Sequence, residues 1–140
     1  MGGALTPVII FDQAGTPLGM TGTPFMFLPE PVSGYVGDVS APASNTAATV
    51  TYAAVAGQRH VITGFAVSYY GGIPTGGNVM VTSDGVIIFN LDIAEEGAGE
   101  IIFPAPKSGG VNAALVITLT AGGAGITGKL NILNHWTEVA

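Results

Sequence analysis

The sequence predicts an all-β fold: an antiparallel β-sandwich or jelly roll of about seven to eight strands with an extended N-terminal hairpin and arm. Three observations carry this. Apolar and polar residues alternate in short runs, each run is bounded by Gly, Pro or Asn, and no stretch shows the 3.6-residue period of an amphipathic helix. At 140 residues the chain is long enough for one real core and too short for two.

Residues 1–45 form a Pro-rich N-terminal hairpin and arm, holding six of the nine prolines (Pro7, Pro17, Pro24, Pro29, Pro31, Pro42) and no Lys or Arg. Proline fixes φ and removes a donor, so no helix or central strand of any length fits here. Two clusters, Val8, Ile9, Ile10, Phe11 and Phe25, Met26, Phe27, Leu28, are too apolar to remain in water. The turn Asp12-Gln13-Ala14-Gly15-Thr16-Pro17 lies between them. These eight side chains are the candidate protein interface.

Residues 46–140 read as the sandwich. Along residues 61–69, Val61, Phe65, Val67 and Tyr69 are expected on one face. Residues 78–83 and 86–93 flank Asp84-Gly85, a dipeptide that supplies positive φ to a two-residue hairpin, with Ile87, Phe89, Leu91 and Ile93 on one side of the second strand. A short strand over 100–104 should end at Pro104-Ala105-Pro106. Residues 113–120 point Leu115, Ile117 and Leu119 inward. In the last strand, 129–137, Leu130, Ile132 and Trp136 face opposite to Lys129, Asn131 and His135. The expected core is Phe65, Val67, Ile87, Phe89, Leu115, Ile117, Leu130 and Ile132.

Composition narrows the function. Hydrophobic residues make up 48% and charged residues 9%, well below the usual quarter for a soluble domain, which favours association. Mean hydropathy is +0.56, yet the charge-free stretches 60–83 and 108–128 are interrupted by Gly pairs and by Ser, Thr or Asn, so no membrane span is expected. The formal charge of −6 with only three bases, Arg59, Lys107 and Lys129, argues against nucleic acid. Absence of cysteine removes thiolate chemistry.

Catalytic residues, cofactors and metals are assigned none, and the chain reads as not an enzyme. The two histidines, His60 and His135, read as surface or interface residues, and no Gly-x-Ser-x-Gly elbow accompanies them. Asp92, Glu95, Glu96 and Glu100 lack an EF-hand ladder and read as a solvated acidic loop facing a basic partner rather than a calcium site. Gly71-Gly72 and Gly122-Gly123 lack the Gly-Lys-Ser/Thr ending of a phosphate loop and read as turns. Tyr69, Tyr70 and Trp136 could form a sugar-binding platform, but core packing of at least one ring is the simpler reading.

Three segments carry a likeness to a known class. They are Val8-Ile9-Ile10-Phe11-Asp12-Gln13-Ala14-Gly15-Thr16-Pro17-Leu18 with Gly22-Thr23-Pro24-Phe25, then Ala56-Gly57-Gln58-Arg59-His60-Val61-Ile62-Thr63-Gly64, then Gly128-Lys129-Leu130-Asn131 running into His135-Trp136-Thr137-Glu138. Through them the whole chain resembles small virion proteins of tailed bacteriophages, in particular jelly-roll cement or decoration proteins of the capsid. The resemblance implies a homodimer or homotrimer on the outer capsid surface that bridges neighbouring major capsid protein subunits. Repetition over a lattice lets modest contacts sum, and a Pro-rich arm loses little entropy on binding. The alternative is a receptor- or glycan-binding sandwich module of a head or tail fibre.

Overall fold

The computed structural model describes residues 36–140. The arm residues Val8, Ile9, Ile10, Phe11, Phe25, Met26, Phe27 and Leu28 lie outside the described residues. Eight strands follow one another: β1 (Val36–Ser40), β2 (Ala48–Tyr52), β3 (Gln58–Tyr70), β4 (Asn78–Ser83), β5 (Val86–Asp92), β6 (Gly97–Ser108), β7 (Leu115–Leu119) and β8 (Thr127–Val139). Among the described residues there is no helix, and hence none able to cross a membrane. β1 precedes residue 46, so the sandwich takes up chain that the sequence assigned to the arm.

The strands form two four-stranded antiparallel sheets, β1-β8-β3-β6 and β2-β7-β4-β5. β1 pairs with β8, β2 with β7, β3 with β6 and β4 with β5, as if one long hairpin had been rolled up. That pairing is a jelly roll. Turn chemistry makes the reversals: Asp84 and Gly85 both take positive φ (48° and 79°) between β4 and β5, matching the strand twist.

The core lies between the sheets. Phe65, Tyr69 and Ile62 from β3, Leu130 from β8, Val79 and Val81 from β4, and Leu115, Ile117 and Leu119 from β7 are fully buried. Val67 and Ile132 are buried with them, and Phe89 packs against them partly covered. Phe65, Phe89 and Phe103 meet edge to face, with centroids 5.2 to 5.8 Å apart, and close half of the flank between β5 and β6.

Ile87 departs from expectation: it is 55% exposed. Val81 faces Phe89 while Thr82 faces Ile87, which leaves Ile88 as an extra residue. This bulge reverses the inside-outside alternation, so Ile88 packs on the core and Ile87 turns outward. β6 departs too, running through Pro104 and Pro106 to Ser108. It is an edge strand, and its pairing jumps from Gly64↔Ile102 to Ile62↔Lys107, so the prolines fall where no ladder is required.

A second irregularity decides where the histidines go. β3 shifts register against both neighbours between Ile62 and Gly64, and β8 shifts across the same region. Ile62, not Val61, therefore joins Phe65 in the core, although Val61 is also buried. Gly64 permits the crossing: a Cβ there would collide with the carbonyl oxygen of Ile101.

Candidate functional site

His60 on β3 and His135 on β8 are both buried, at 4% and 8% exposure, which corrects their reading as surface or interface residues. In register, Ile62 faces His135 and His60 faces Thr137, so the two histidines are diagonal neighbours on one face. The register shifts past Gly64 rotate that face inward. Their ring nitrogens meet, His60 Nδ1 to His135 Nε2, at 2.9 Å.

The network fixes the tautomers. His60 Nε2 lies 2.7 Å from the carbonyl oxygen of Ala53, which only accepts, so Nε2 carries the proton. In the neutral pair Nδ1 of His60 then accepts from the Nε2–H of His135. Tyr52, at the end of β2, stacks flat on His135 with centroids 3.5 Å apart and an interplanar angle of 6°. Its hydroxyl donates to Asp38 Oδ2 on β1 at 2.6 Å. Burial above all pushes the His135 pKa down to about 4, His60 adding to the shift and Asp38 opposing it. Burial, the Asp38 hydrogen bond and the Asp38 charge drive the Tyr52 phenol well above its ordinary value.

These four side chains come from both sheets, with Tyr52 in one and Asp38, His60 and His135 in the other. They clamp the β1/β2 flank, aided by Thr49 N–H donating to Ser40 Oγ at 3.1 Å. At neutral pH the cluster holds a neutral phenol and a neutral His135, the protonation states of a structural tie. Sequence reasoning missed Tyr52 and Asp38 because nothing local marks them.

The opposite flank is open. Between β5 and β6 a groove of about 320 Å³ is lined by Val67, Tyr69, Leu91, Ile93 and Ile101, with Glu95 and Glu100 also lining it. Glu96 is occupied: its Oε1 accepts from the backbone N–H of Gly71 (2.9 Å) and Gly72 (3.2 Å), pinning the β5–β6 loop. Asp92 accepts from Asn78 Nδ2 at 2.9 Å. The acidic residues thus serve separate ends, and among the described residues no three metal-ligating side chains converge.

The aromatic platform does not assemble. Tyr69 is buried with its hydroxyl donating to the Thr120 carbonyl at 2.6 Å, while Tyr70 faces outward under Lys129 Nζ, 5.4 Å from the ring centroid. Tyr70 pairs with Thr127 and Val61 with Trp136, so Trp136 sits at the far end of β8, about 30 Å away along the strand.

No protein-family model and no curated protein matches the chain. Among solved structures it is similar to dimeric latent PorU from Porphyromonas gingivalis, at 10% identity and a TM-score of 0.40, over 81% of this chain and 14% of that one. It is also similar to a ruminal GH26 endo-β-1,4-mannanase, at 12% identity and a TM-score of 0.36, over 100% of this chain and 27% of that one. The chain thus spans well under a third of either length, and likenesses this distant carry no functional argument.

Proposed function

We propose that the protein is a virion structural protein, a capsid cement or decoration protein that stabilises the shell by bridging neighbouring major capsid protein subunits, and that it is not an enzyme. It sits on the outer capsid surface as a homodimer or homotrimer, without nucleic acid, membrane or cofactor. One observation carries the reading: the sandwich leaves large apolar side chains uncovered around its surface, among them Val39, Ile73, Val86, Ile87 and Ile102, in a chain with only 9% charged residues. A surface this apolar and this poor in charge favours partners. The two sealed histidines supply a tie between strands rather than an accessible base, which suits a scaffold.

Purified particles test this. A cement protein is present in copies proportional to the lattice, and particles lacking it burst at lower temperature or under milder osmotic shock. Particles that are equally robust without it but no longer adsorb to cells would establish the fibre receptor- or glycan-binding module instead.

A further inference from the structure

The four sheet edges are treated unequally, and β5 is interrupted by its bulge at Ile88. β1 and β2 are tied together by Tyr52–Asp38 and Thr49–Ser40. The C-terminal half of β6 carries Pro104 and Pro106 and leaves register, two devices that blunt an edge. The N-terminal half does neither. From Gly97 to Ile102 it keeps residue-by-residue register with β3, and among the described residues β3 is its only neighbour. Gly97, Ala98 and Gly99 leave that backbone uncovered, and all three are exposed. Beside them the groove descends to Leu91, Ile93 and the core.

Resting on the function proposed above, we infer that this half-edge and its groove receive an extended segment of the partner protein whose side chains alternate between apolar and basic. The added strand pairs along Gly97–Ile101, as edge strands do in strand-addition complexes. Its apolar side chains enter the groove over Leu91 and Ile93. Its basic side chains meet Glu95 and Glu100.

Charge selects this occupant over the others. The chain's three bases have contacts of their own: Arg59 pairs with Glu138 at 3.0 Å, Lys107 lies over Phe103, and Lys129 lies over Tyr70. A second copy meeting this one groove to groove would bring the same acidic rim to the same place, in a chain of formal charge −6. Residues 1–45 contain no Lys or Arg, so this chain's own arm, or a neighbour's, has nothing to offer those carboxylates.

The full-length 15N-labelled protein, titrated with a blocked seven-residue peptide alternating Lys and Val, tests this by amide shifts. Saturable shifts confined to residues 91–101 are expected. Raising salt from low to half-molar should weaken them about tenfold, and the Glu–Val counterpart should produce none. Glu95→Lys with Glu100→Lys should weaken binding about tenfold. Leu91→Lys, at a half-exposed position, should do the same without unfolding the chain. Equal binding of the Glu–Val peptide, no saturable shift, or shifts on another face overturns the inference. So does concentration-dependent self-association through residues 91–101 without peptide, which would assign the groove to a second copy. A charge-reversed chain that still decorates particles at full occupancy refutes the groove and leaves the cement role standing. Peptide binding without particle binding supports the groove and refutes the cement role.

Discussion

His60 and His135, 75 residues apart in sequence, share a hydrogen bond of 2.9 Å at the sealed flank of the sandwich. Two facing imidazoles with one proton between them are satisfied. Two imidazolium ions at that distance would repel.

The first prediction is acid sensitivity. Folded His135 titrates near pH 4, below its ordinary 6.5, so between those values the unfolded chain binds more protons than the folded one. The stabilisation is fully present above about pH 6.5 and is lost as pH falls through about 4. A shift of this size corresponds to about 3 kcal/mol at most. The groups facing His135 are His60 from β3, Tyr52 from β2 and Asp38 from β1. Denaturant midpoints should fall between pH 7 and pH 4.5, and His135→Gln should flatten that slope. An unchanged slope in the variant would place the acid sensitivity in other groups.

The second prediction concerns the tie between sheets. Tyr52→Phe keeps the ring stacked on His135 but removes the donor to Asp38, leaving a partly buried carboxylate short of a partner. A hydrogen bond to a charged acceptor is worth about 1.5–3 kcal/mol. The melting temperature should drop accordingly, and Asp38→Asn in the Tyr52→Phe background should cost less than in the wild type.

Which features were legible in the sequence follows from whether local pairing was regular. Asp84-Gly85 announced its hairpin because positive φ at two successive residues is a local demand. Leu115, Ile117 and Leu119 alternate on a strand paired on both sides without a shift, so period two held to the end. Where a bulge intervenes, period two fails beyond it. Val61, Ile87 and His135 were all misplaced for that one reason. Gly64 within an apolar strand run was the available signal, since a glycine there often marks a bulge. Nothing in sequence could bring Tyr52 and Asp38 to the histidines, because that meeting depends on how the sheets fold over each other.

The third prediction separates the two residues flanking the β5 bulge. Ile87→Ser, on an outward position, should change stability by no more than about 0.5 kcal/mol. Phe89→Ala removes one ring of the Phe65–Phe89–Phe103 cluster and should cost about 3 kcal/mol. Equal costs would show that period two runs unbroken along β5.

The fourth concerns Gly64. Adding a methyl group drives it into the Ile101 carbonyl at the point where β3 crosses β6. Gly64→Ala should cost about 1–3 kcal/mol. Because the same shift turns His60 and His135 inward, the variant should also perturb their imidazole resonances, whereas Gly99→Ala, with open space around its Cβ position and no positive φ, should leave them in place.

The last prediction concerns where the sandwich begins. The sandwich begins with β1 at Val36. β1 supplies Asp38 to Tyr52 and Ser40 to the backbone of Thr49, and it pairs with β8 along Asp38, Val39 and Ser40. A chain lacking residues 1–35 should therefore melt as a cooperative β-domain. One lacking residues 1–45 also loses the edge of its sheet and the acceptor of its partly buried phenol, and should be less stable by several kcal/mol or fail to fold. The first truncation isolates the apolar residues Val8–Phe11 and Phe25–Leu28 from the fold. If those side chains anchor the protein to its lattice, the domain without residues 1–35 should keep its melting transition and lose particle occupancy. Burying four such side chains contributes on the order of 6–10 kcal/mol before ordering costs, so the loss should be near complete rather than graded. Wild-type occupancy by that truncated domain would move the anchor to the sandwich surface.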